Sequence, residues 1–64
     1  MIITYTIRDK ADREIKGDCT QRFNEEGNFR KFMRQLMKGI SNAHYCEYYE
    51  VGVPKTRLKT IANF

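Results

Sequence analysis

The sequence predicts a small α+β fold: an antiparallel sheet in ββαββ order, with one amphipathic helix packed on one face. Three observations predict it. Segments near the start of the chain alternate apolar and polar residues at the two-residue period of a strand. Residues 28–40 place apolar side chains at spacings of three, four and seven, the period of a helix. Residues 43–53 and 56–64 then return to alternation. A chain of 64 residues makes one domain, 1–64, and has room for only a few elements. A sheet with a helix laid across it is the two-layer solution for that set.

The first strand is "MIITYTIR". It is rich in β-branched and aromatic residues, and Ile3, Tyr5 and Ile7 share the face that polarity assigns to the core. "DKAD", residues 9–12, is a turn, because Asp side chains accept bonds from nearby backbone amides. A second strand runs from about Arg13 to Arg22, with Ile15, Gly17 and Cys19 on one face; Gly17 marks a bulge or a close approach by another element. The short loop makes the two strands a hairpin.

"NEEGN" interrupts the pattern. Asn24 and Asn28 are candidate helix N-caps, Glu25 and Glu26 suit the positive end of a helix, and Gly27 places the regular helix just after itself. The helix "NFRKFMRQLMKGI" buries Phe29, Phe32, Met33, Leu36, Met37 and Ile40 in one stripe and ends at Gly39 or Asn42. In the next strand Ala43, Tyr45, Glu47, Tyr49, Val51 and Val53 form the more apolar face and are expected inward. His44, Cys46, Tyr48, Glu50 and Gly52 are expected outward. Glu47 is the misfit, explained by a sheet edge or by a bulge that swaps faces partway. After a turn at Pro54 and Lys55, Leu58, Thr60, Ala62 and Phe64 share one face of a last strand that pairs with residues 45–53.

Composition bounds the function classes. Hydrophobic residues at 41% and charged residues at 31% describe a globular chain, not a disordered one. No apolar run approaches the roughly 20 residues of a membrane helix. "MIITYTIRDK" has no basic leader or cleavage site, so the chain reads as a complete small open reading frame with a cytoplasmic product. Two cysteines, Cys19 and Cys46, are too few for a disulfide framework or a zinc cluster, and pack as reduced thiols. The net charge is +4: residues 1–26 hold five basic and six acidic side chains, and residues 27–64 hold seven basic and two acidic. The basic half is expected to meet something negative.

Three constellations carry possible chemistry. Arg30, Arg34 and Lys38 repeat every four residues with Lys31 beside them, a positive ridge opposite the apolar stripe; Lys55, Arg57 and Lys59 extend it if the last strand lies near. Phosphate contact or an acidic protein surface needs no more than this. Tyr48, on the expected wet face, is the aromatic expected to meet a partner, since tyrosine combines large rigid area with one polar tip. The aromatic pattern of an RRM-type RNA-binding sheet is absent, and so is its second helix. The third constellation is His44, Cys46, Glu47 and Glu50. It lacks an orienting group, an oxyanion loop and metal-ligand spacing, and no glycine-rich phosphate loop exists elsewhere. No catalytic residue, metal or cofactor is expected.

In size, architecture and basic charge the chain is similar to small one-domain inhibitors encoded by phages and other mobile elements, of which anti-CRISPR proteins are one group. The resemblance covers no motif and carries over no functional residue. It implies a protein that blocks a host enzyme or nucleoprotein by occupying a surface. The expectation is therefore a non-enzymatic binding protein acting on a protein or nucleoprotein through Arg30, Lys31, Arg34, Lys38, Tyr48, Lys55, Arg57 and Lys59. A small DNA- or RNA-binding module using the same positive groups is the alternative. An exposed sheet edge is compatible with a homodimer.

Overall fold

The structure, a computed structural model, describes residues 1–54 and 57–63. It consists of β1 (Ile2–Arg8), β2 (Glu14–Arg22), α1 (Glu26–Lys38), β3 (Tyr45–Glu50) and β4 (Lys59–Ala62). The strands form one antiparallel sheet in the order β2-β1-β3-β4, so the α+β fold and the ββαββ chain order are as the sequence predicts. β1 pairs with its hairpin partner on one side and with β3 on the other.

Ile3, Tyr5 and Ile7 of β1 face α1, which covers them with Phe29, Met33 and Met37. All six are at most 4% exposed, so this is the dry centre of the molecule. Phe32, Leu36 and Ile40 flank it and are partly buried. Tyr5, Phe23, Phe29, Phe32 and Tyr48 form an aromatic cluster, with Phe29 and Tyr48 closest at 4.6 Å between tilted rings. Offset and tilted pairs are the geometry the ring quadrupoles favour.

The turn at 9–12 forms as Asp chemistry dictates. Asp9 Oδ1 accepts bonds from the amides of Ala11 and Arg13, both at 2.9 Å, and Asp12 adopts φ 63°. The Arg13 amide, with the help of the Ala11 amide and the Arg13 guanidinium, holds the Asp9 carboxyl below the usual carboxylate range. In the hairpin the register shifts twice, once between Tyr5 and Ile7 and once between Ile7 and Arg8. The bulge expected at Gly17 is thus present, but its left-handed residue is Asp18, at φ 48°. Ile15 and Cys19 pack on the core, whereas Gly17 is exposed, and the Glu14 side chain lies where a Cβ on Gly17 would sit.

Two expectations are corrected. First, the helix begins at Glu26 with Glu25 as its N-cap, which uses no side-chain bond; neither Asn24 nor Asn28 caps it, and Gly27 lies inside the first turn. The earlier start places Glu26 within reach of Tyr48 and Lys59, 2.7 Å from the phenol and 2.9 Å from the ammonium.

Second, the faces of β3 are the reverse of those expected. Cys46 and Tyr48 are buried against α1, while Tyr45, Glu47 and Tyr49 lie on the far face. Register is the cause. Cys46 stands opposite Ile7 and Tyr48 opposite Tyr5, and directly paired residues share a face. Val51, expected inward, is 48% exposed.

β4 pairs with β3, and Leu58, Thr60 and Ala62 share one face, both as expected; that face is the exposed one, and Ile61 turns inward opposite Cys46. Phe64 and Lys55 lie outside the described residues. Asn63 closes the sheet against the helix by donating to the carbonyls of Met37 at 3.2 Å and Ala43 at 2.8 Å.

Candidate interaction surfaces

The positive residues divide into those that the fold uses and those that it leaves outward. Arg30 is half-buried. Its Nη1 donates to the Tyr48 hydroxyl at 2.8 Å, and that hydroxyl donates to Glu26 Oε2 at 2.7 Å. Lys59 Nζ donates to both Glu26 carboxylate oxygens, at 2.9 and 3.0 Å. Arg30 and Lys59 are therefore members of one structural network centred on Glu26. The phenol of Tyr48, then Lys59, lowers the Glu26 carboxyl below its ordinary pKa. Burial, then the nearby carboxylate, raises the phenol above its own. At 3% exposure Tyr48 offers no contact area to a partner, which corrects its expected place on the wet face.

Lys31, Arg34 and Lys38 are different. All three are exposed on the outer side of α1, and among the described residues no ion pair holds any of them. The only acidic residue within the helix is Glu26, in its first turn. The last two turns therefore present positive charge with no neutralising neighbour on the helix. Arg34 and Lys38 also line a 290 Å³ groove with Ala62 and Asn63, where the helix passes the β4 edge. Arg57 is exposed and lines a 120 Å³ cavity with Glu26, Tyr48 and Lys59. Of the predicted basic set, then, the structure brings Lys31, Arg34 and Lys38 together, places Arg57 beside the Glu26 network and bonds half-buried Arg30 and exposed Lys59 into that network; Lys55 falls outside the described residues.

Among the described residues no helix covers the second face of the sheet. Thr4 and Thr20 bond across the hairpin at 3.0 Å, and Arg8 Nε bonds Glu47 Oε1 at 2.8 Å. The Tyr45 hydroxyl donates to Asp12 Oδ1 at 2.8 Å and to Glu47 Oε1 at 3.2 Å, and those two acceptors push its pKa up to about 12. Glu47, the misfit of the sequence, is thus an ordinary polar residue on a wet face. Ile2, Val51 and Leu58, exposed at 37%, 48% and 48%, lie at one end of this face. An open face bearing tyrosine is as the sequence predicts, but the residues on it are Tyr45, Glu47 and Tyr49 in place of Cys46 and Tyr48.

Cys46 is fully buried, and burial pushes its thiol up to about 12, so it supplies no thiolate near neutrality. Cys19 and Cys46 are both free thiols. Among the described residues no three His, Cys, Asp or Glu side chains gather as a metal site. A 500 Å³ open groove between the 9–13 turn and residues 41–44 is lined by Lys10, Arg13, Asn42 and His44, but its carboxylate, Asp9, is already bonded to Ala11 and Arg13. Among the described residues no helix is long and apolar enough to cross a membrane. Comparison with protein-family models, with characterised proteins and with solved structures finds no match, so function is argued from these surfaces.

Proposed function

We propose that the chain is a small non-enzymatic binding protein of the cytoplasm, an inhibitor or adaptor that occupies an acidic surface of a protein or nucleoprotein. Lys31, Arg34 and Lys38 are the contact residues. One observation carries the reading: these three side chains form an outward stripe that no acidic residue of the described chain neutralises. Long-range attraction to an opposite surface speeds encounter and fixes orientation. The narrower reading, a phage-type inhibitor, rests on the resemblance in size and charge alone.

The test is capture of partners from extract of the source cell, followed by mass spectrometry, with wild type and with the triple variant K31Q/R34Q/K38Q. Arg30 and Lys59 stay unchanged because the fold uses them. A specific protein or nucleoprotein captured by wild type and lost by the variant is the expected result. Equal capture by both removes the stripe from the interface.

Direct nucleic-acid binding is the second reading, favoured by the same unneutralised stripe. It is confined to the helix, because the open sheet face mixes its tyrosines with Asp12 and Glu47, which repel phosphate. Three phosphate contacts give a slope of about −3 in log affinity against log salt on duplex DNA. Absence of binding to single and double strands at low salt removes this reading.

A further inference from the structure

The two edges of the sheet differ in kind. The β2 edge is broken by two register shifts and a left-handed Asp18, and it carries Glu14, Lys16, Asp18 and Arg22. Bulges and charges of this sort discourage a further strand. The β4 edge has neither device. Its ladder with β3 runs without a shift from Tyr45↔Ala62 to Tyr48↔Lys59.

The direction of its backbone groups follows from the neighbouring ladders. The Val51 amide donates to the Ile2 carbonyl at 2.8 Å, which sets the phase of the β1–β3 ladder and turns the even residues of β3 toward β4. The bond from the Asn63 amide to the His44 carbonyl at 2.9 Å has the same phase. Lys59 and Ile61 therefore bond inward to β3. The backbone groups of Thr60 and Ala62, with Leu58 next in the alternation, point away from the sheet. All three side chains are exposed and none is charged. Among the described residues no strand pairs with this edge.

We infer that β4 pairs antiparallel with β4 of a second copy, about a two-fold axis at Thr60, to make one sheet of twice four strands with both helices on the same side. The choice of a second copy rests on self-complementarity. The two-fold axis sets Thr60 opposite its counterpart and Leu58 opposite Ala62 of the partner subunit, so each outward backbone group meets its complement. Lys59 falls opposite Ile61 of the partner subunit rather than opposite another lysine, and its own charge is held by Glu26. The pairing also sets the two Arg34–Lys38 grooves on either side of one seam. The inference is independent of the proposed binding stripe.

Sedimentation equilibrium and amide hydrogen exchange test it. The expected mass rises from 7.6 kDa toward twice that value with concentration, and exchange at Thr60 and Ala62 slows in parallel. Thr60→Lys sets two like charges opposite each other and weakens association by at least about tenfold. Leu58→Glu, at a position that is 48% exposed, replaces the apolar contact with Ala62 of the partner subunit by a charge that must be desolvated, and weakens association without threatening the fold. Gln21→Lys adds the same charge on the β2 side and leaves association unchanged. A mass of 7.6 kDa up to roughly millimolar concentration overturns the inference. So does a dimer that neither edge variant weakens, or one whose Thr60 and Ala62 amides exchange as fast as in the monomer.

Discussion

Tyr48→Phe is the sharpest test of how the helix is fastened to the sheet. The substitution keeps the ring, and with it the 4.6 Å contact to Phe29, and removes only the hydroxyl. That hydroxyl donates to the Glu26 carboxylate and accepts from Arg30. Bonds to charged groups contribute about 1.5–3 kcal/mol each, but Lys59 still holds Glu26 and the Glu26 side chain keeps 35% of its exposure, so water compensates part of the loss. The net cost is about 1–2 kcal/mol at pH 7. For a domain this small that lowers the melting temperature by about 4–16 °C.

The deficit also depends on pH. Glu26 has a lowered pKa in the folded state, so the stability it contributes is present above its unfolded pKa of about 4.3 and fades as pH falls through the folded value. The Tyr48 phenol is the largest cause of that lowering. Removing it flattens the acid limb, and the gap between wild type and Tyr48→Phe shrinks between pH 5 and pH 3. Urea melts at pH 7, 5 and 3 measure both quantities. A difference below about 0.3 kcal/mol at pH 7, or a gap that widens on acidification, refutes the network as described.

Further outcomes follow from the strand faces and the bulge. Ile61→Ala costs about 2–4 kcal/mol in a chemical melt and Leu58→Ala less than about 0.5, because only Ile61, at 3% exposure, is buried. Iodoacetamide at pH 8 labels Cys19 before Cys46 in the native protein, and both at equal rates in urea, as mass spectrometry of the digested protein reads out; Cys46 is fully buried and its thiol is pushed up to about 12. Gly17→Ala changes stability by no more than about 0.5 kcal/mol by thermal melt. The group in its way is the end of the Glu14 side chain, which swings clear, and the left-handed backbone belongs to Asp18 instead.

Where local pattern and burial coincide, the sequence was sufficient. Ile3, Tyr5 and Ile7 alternate without competition, and the 29–40 stripe has one apolar side, so β1 and α1 are placed correctly. β3 failed for a specific reason. Its apparent apolar face drew on Ala43, Val51 and Val53, which lie outside the strand, while within 45–50 the two faces are almost equally polar. What decides between them is non-local: Cys46 must lie beside Ile7, and Ile61 beside Cys46, to share the face that α1 covers. The same flip put Tyr48 on the open face in place of Tyr45 and Tyr49. Helix periodicity aligns Arg30, Arg34 and Lys38 with Lys31 beside them, and of these four Lys31, Arg34 and Lys38 are exposed. That Arg30 and Lys59 belong to Glu26 was not legible, since it depends on where two distant segments meet.

The position of β1 in the middle of the sheet has a consequence for how the chain comes into being. β1 emerges from the ribosome before β3, one of its two neighbours, which is made only after the whole of α1. Until then the hairpin exposes one side of "IITYTI", an uncharged, β-prone run without proline. A pairing that closes over so many residues is slow compared with the hairpin and the helix. The nascent protein is therefore most prone to aggregation in the interval before residue 50 emerges. α1, folding locally onto Ile3, Tyr5 and Ile7, is the element that shields the run during that interval.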